Sequence, residues 1–99
     1  MRSLEQLSTE QEFAVDVLEM ETFQYHLIVW NDEINTFEWV IKTLMDVCAH
    51  DKEQAEQCTI IIHYKGKCSV KTGEYDALKI LCDGITDRGI GATIEELVM

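Results

Sequence analysis

Between Tyr25 and Cys48 the hydrophobic pattern changes its period within a few residues, and few arrangements accommodate that change. The segment YHLIVW (25–30) is a breaker-free run of aromatic and β-branched residues, the composition of a strand. Asn31, Asp32, Glu33 and Asn35 then interrupt it. From there apolar residues recur at Phe37, Val40, Ile41, Leu44, Met45 and Cys48, the spacing of one helix face. A strand must therefore turn at once into an amphipathic helix. Asn35 precedes Glu38 by three positions, as in a capping box, so Asn35 is expected to start that helix.

The remaining chain extends the pattern. Asp51 and Gln54 repeat the capping signature for a second helix, with Ala55, Cys58, Thr59 and Ile62 on one side. In TIIIHY, three isoleucines favour a strand, whereas the period from Ala55 to Ile62 favours a helix. The helix is preferred, ending near His63 and closed by a turn at Gly66. CSVKT is a short strand. A third helix runs from Glu74 with Tyr75, Leu78, Leu81, Cys82 and Ile85 inward, weakened by Gly84 by roughly 1 kcal/mol relative to alanine. A last strand falls around Ala92–Glu96. The order β-α-α-β-α-β describes an α+β sandwich, three short strands packed against three helices, because each helix has one apolar stripe to cover.

The 99 residues suit one domain, assigned to residues 25–99. Residues 1–24 carry six acidic side chains and one basic one, Arg2, and are expected to form a flexible acidic extension. The alternative is a segment that orders on meeting a partner. A net charge of −11 argues against nucleic acid, whose phosphates would be repelled, and favours a basic partner or an ammonium-bearing ligand. No apolar run approaches a membrane span, and the N-terminus lacks an apolar signal core, so the expectation is a cytoplasmic protein with no membrane association. Cys48, Cys58, Cys68 and Cys82 contain no CxxC pair and are expected to be free, mostly buried thiols. A monomer is the default.

The acidic turn at 31–35 concentrates side-chain oxygens beside apolar residues, as a site for a cation would. A calcium loop beginning at Asn31 puts Thr36 where glycine is required and Lys42 where a bidentate glutamate is required, so that reading fails. His50 and His63 lack zinc-site spacing, and no metal or other cofactor is expected. Asp32 or Glu33 with His63 would suit acid–base chemistry, but no nucleophile elbow or phosphate loop accompanies them, and no enzyme is expected. Taken singly, these residues are equally compatible with a capped turn and a boundary histidine.

In combination they resemble the ClpS family of adaptors for Clp-type ATP-dependent proteases. The matching elements are Asn31-Asp32-Glu33, then Asn35-Thr36-Phe37-Glu38-Trp39-Val40, then His63-Tyr64-Lys65-Gly66-Lys67, and Thr72-Gly73-Glu74 with Lys79. The resemblance implies an adaptor that binds N-degron substrates beginning with Leu, Phe, Tyr or Trp and delivers them to the N-domain of a ClpA- or ClpC-like AAA+ unfoldase. It implies amine binding by Asn31, Asp32, Glu33 and His63. It implies a side-chain pocket from Asn35, Phe37, Val40, Thr59, Ile62 and Ile90, an unfoldase contact at Glu74 and Lys79, and a handover role for the extension. Glu33 departs from the usual Asp by one methylene, which is expected to displace a relayed water; Phe37 and Thr59 each stand where Met is usual, which is expected to shift first-residue preference, and the loop after Lys67 is two residues shorter. The competing expectation is an interaction module of the same fold that does not read N-termini.

Overall fold

A computed structural model describes residues 24–97. The expected extension lies outside the described residues except for Gln24, whose carbonyl accepts a hydrogen bond from the Leu97 N–H at 2.7 Å. The elements are β1 (Tyr25–Trp30), α1 (Phe37–Cys48), α2 (Lys52–Lys65), β2 (Lys67–Gly73), α3 (Tyr75–Thr86) and β3 (Ala92–Glu96), an α+β fold in the expected order. β1 is the central strand of a sheet ordered β2-β1-β3, with both pairings antiparallel. Its neighbours differ in polarity, since the β1 apolar run has cover on both edges whereas β2 and β3 carry lysine and glutamate on theirs. A register shift at Leu27/Ile28 leaves Val70 as the extra residue of β2.

Alternation along β1 divides its side chains between faces. Leu27 and Val29 are fully buried in a core with Leu44, Cys48, Ile62, Leu78 and Ile85. The helices lie on this face, each contributing one stripe. The first stripe differs from the expected one: Phe37 and Met45 are 41% and 37% exposed, and Thr43 is completely buried. Tyr75 is likewise exposed rather than inward, although its ring meets that of Tyr25 edge-on at 5.6 Å between centroids. Gly84 has a packing reason: a Cβ there would come within 3.1 Å of Val47 Cγ1, so its absence lets α3 approach α1.

Helix ends set the geometry of the site. The expected cap at Asn35 is corrected by one position. Thr36 is the N-cap, its side-chain oxygen accepting from the Trp39 N–H, because threonine there satisfies an orphan helix donor while Asn35 is engaged elsewhere. Asp51 caps α2 through the Gln54 N–H, as expected. α2 runs two residues beyond His63 and ends on left-handed Gly66, whose N–H donates to the Ile62 carbonyl. The four thiols are free, but only Cys48 is fully buried and the others are half-buried. Burial pushes Cys48 up to about 11; burial and then the neighbouring Cys58 push Cys68 up to about 12, so both are poor nucleophiles at neutral pH.

Candidate functional site

The acidic turn lies against the end of α2. The Asn31 N–H donates to the Gly66 carbonyl and the Trp30 N–H to the Gly91 carbonyl, both at 2.9 Å. His63 stands one turn before Gly66, so this pinning brings Asn31 and His63, 32 positions apart in sequence, to one cavity. The cavity holds about 400 Å³. Its polar side comes from the turn and His63; its apolar side comes from Phe37 and Val40 of α1 and Thr59 and Ile62 of α2.

Asp32 organises the turn. One carboxylate oxygen accepts from the Ile34 and Asn35 N–H groups, each at 2.8 Å, and the other accepts from the Asn35 amide at 2.7 Å. These bonds, chiefly those from Asn35, hold the Asp32 carboxyl below its usual range despite a small opposing effect of burial. Asn35 gives its second amide hydrogen to the Gly89 carbonyl at 2.9 Å, tying the turn to the α3–β3 connection. Both amide hydrogens being engaged, Asn35 has only its oxygen left to offer. Asp32 lines the cavity as well, but its bonds make it first a positioning residue that adds negative charge. Glu33 and Asn31 side chains are exposed at the mouth.

The depressed Asp32 carboxyl has a pH consequence. A group whose folded-state value lies below its unfolded one stabilises the fold above the unfolded value and stops doing so as pH falls through the folded one. The turn should therefore hold at neutral pH and loosen only below about pH 4, the ordinary carboxylate value. Amide chemical shifts of Ile34 and Asn35 followed from neutral to acid pH check this, and Asp32→Asn should remove the transition.

His63 is exposed, with its ring edge-to-face against Phe37 at 5.1 Å and Tyr64 at 4.9 Å between centroids. The C-terminal end of α2, where the helix dipole is negative, lies against Asn31, and this favours a cation at the same place. Thr59 is buried, and its hydroxyl donates to the Ala55 carbonyl at 2.8 Å, so its methyl is what it contributes to the apolar wall. The arrangement offers acceptors and negative charge at one end and a hydrocarbon recess at the other. Among the described residues no three of His, Cys, Asp or Glu are grouped to hold a metal ion.

Of the twelve residues singled out, nine line this cavity: Asn31, Asp32, Glu33, Asn35, Phe37, Val40, Thr59, Ile62 and His63. Ile90 does not. It is 2% exposed within the core, and its N–H bonds back to the Ile85 carbonyl at 3.4 Å. Glu74, the N-cap of α3, and Lys79 within it lie apart from the cavity, both exposed, with the Lys79 ammonium bonded to both Asp83 oxygens at 2.8 and 2.9 Å. Thr36 also lines the cavity, and sequence reading missed it. The signal was its N-cap preference, outweighed by the Asn35–Glu38 spacing.

Comparisons with known proteins agree on one family. Residues 20–93 match the family described as ATP-dependent Clp protease adaptor protein ClpS. The chain is 27% identical over 89 residues to the Clp protease adapter ClpS of Corynebacterium diphtheriae, covering 90% of this chain and 79% of that one. It is 40% identical over 58 residues to the ClpS of Edwardsiella ictaluri, covering 57% of this chain and 55% of that one. Among solved structures it is similar to Agrobacterium tumefaciens ClpS2 bound to L-phenylalaninamide, with a TM-score of 0.65 and 18% identity, covering 77% of this chain and 99% of that one. No helix among the described residues is long and apolar enough to cross a membrane.

Proposed function

The chain belongs to the ClpS family of ATP-dependent Clp protease adaptors, and from that premise we propose that its acceptor-lined notch grips the free α-amine of an N-degron while the adjoining recess takes the first side chain. The family consists of adaptors, not enzymes, that act with Clp ATPases and their substrates. The observation that carries the reading is the convergence of Asn31, Glu33 and His63 on the cavity walled by Phe37, Val40, Thr59 and Ile62.

An α-ammonium donates hydrogens and accepts none, so its site must present acceptors. Asn31 supplies an amide oxygen, Glu33 a carboxylate, and His63 a ring nitrogen. Asp32 fixes the turn and adds charge. Charge-assisted hydrogen bonds contribute roughly 1.5–3 kcal/mol each, and burial of a Leu or Phe side chain a similar amount. Two or three such bonds with one buried side chain reach about 8 kcal/mol, the micromolar range, when the pocket is preformed. That strength suits an adaptor that must release what it carries. The Agrobacterium relative's ligand, L-phenylalaninamide, has a free α-amine and a benzyl side chain, which supports the reading. The exposed Glu74 and Lys79 of α3 would meet the N-domain of a ClpA- or ClpC-like unfoldase, leaving the notch open to substrate.

Acetylating the peptide's first amine is the direct test. By fluorescence anisotropy, a peptide starting with Leu or Phe should bind in the micromolar range and its acetylated form about 100-fold or more weaker, the loss of about two charge-assisted bonds. Equal affinity for the two forms would reject N-terminus reading and leave a docking module of the same fold.

A further inference from the structure

Two thiols face each other across the junction of α2 and β2. Cys58 lies three positions after the buried Ala55 and four before the buried Ile62, on the stripe of α2 that enters the core. Cys68 stands opposite Val29 in the pairing of β2 with β1, so its side chain leaves the sheet on the same face as Val29, toward the helices. Both are half-buried, and both pack against the core cluster. Their sulfurs meet. The Cys68 thiol donates a hydrogen bond to Cys58, and its sulfur also lies 3.5 Å from the Ser69 carbonyl, so one proton serves two acceptors. Burial raises both thiols; the bond between them opposes that rise at Cys58 and adds to it at Cys68. Cys58 is therefore the readier of the two to react.

We propose that Cys58 and Cys68 are a redox-closable pair whose disulfide staples α2 to β2. The oxidant is a small-molecule disulfide, RSSR. The Cys58 thiolate attacks one of its sulfurs and expels RS⁻, leaving a mixed disulfide on Cys58. Cys68 then gives up its proton and attacks the Cys58 sulfur, which expels the second RS⁻. The two protons leaving the protein end on the two released thiolates, so RSSR is reduced to two RSH as the pair loses two electrons. The thiols already touch, so closure asks for side-chain rotation and a small approach of the two elements, not for unfolding. The ring closed is short, ten positions through the Gly66 turn. Thr59, beside Cys58, walls the notch, and Gly66, two positions before Cys68, pins Asn31, so the bridge firms that side of the molecule whatever the notch binds.

Incubating the folded full chain with oxidised glutathione, blocking the remaining thiols with N-ethylmaleimide and mapping peptides by mass spectrometry tests this. The map should show Cys58 joined to Cys68 within one chain, with Cys48 and Cys82 carrying the blocking group. The linked chain should melt about 5 °C or more above the reduced one, and dithiothreitol should reverse the shift. Cys68→Ser should stop at glutathione on Cys58, and Cys58→Ser should form no bridge. The map of the parent chain needs no variant, so its result stands even if a serine substitution disturbs folding. Three results would each overturn the proposal: absence of the Cys58–Cys68 link, a link through Cys48 or Cys82 or between two chains in its place, and a linked chain that melts where the reduced one does.

Discussion

His63→Ala should weaken binding of a Leu- or Phe-started peptide by about 10- to 100-fold, the equivalent of one charge-assisted hydrogen bond of roughly 1.5–3 kcal/mol. The ring is exposed and held edge-on by Phe37 and Tyr64, so its removal takes little from the core and the far-ultraviolet circular dichroism should not change. Replacement by leucine keeps much of the volume and removes the acceptor; it should bind as poorly as alanine. Glutamine restores an acceptor and should recover part of the affinity. The pattern across the three substitutions separates hydrogen bonding from packing. An alanine variant with parental affinity would remove His63 from the site.

Legibility in the sequence followed the range of the interaction. The elements announced themselves through local pattern: the six-residue run of β1, the α2 cap at Asp51 and the stop at Gly66 needed only near neighbours. The convergence of nine residues on one cavity came instead from family likeness, since periodicity places Asn31 and His63 on separate elements and is silent on their distance. What joins them is the backbone bond from Asn31 to Gly66, a long-range contact with no side-chain signature. The misreadings share one cause. Asn35 looked like a cap because spacing alone was weighed, but its side chain reaches Gly89, 54 positions on. Ile90 lies beyond the turn after α3, in the core and not among the residues that line the cavity. Phe37 and Met45 fit an inward stripe by number, yet the buried polar Thr43 occupies the centre of that face.

First-residue preference should change most at Thr59. Its hydroxyl is committed to the Ala55 carbonyl, so the apolar wall there ends at a methyl group, recessed by comparison with any longer side chain. Phe37 bounds the cavity from the α1 side and is held against His63. The recess should therefore accept branching close to the peptide backbone, and the parent should bind Ile- and Val-started peptides alongside Leu-, Phe- and Trp-started ones. Thr59→Met pushes a flexible thioether into that space. Crowding of this kind costs typically 1–3 kcal/mol where the ligand cannot yield. A β-branched side chain, stiff at its first torsion, yields least. The variant should lose about 10-fold or more in affinity for Ile- and Val-started peptides relative to the Leu-started one, while the amine contacts, and so the effect of acetylation, stay as in the parent. A ranking of the five peptides identical in parent and variant would show that Thr59 does not shape the recess, whatever its place in the wall.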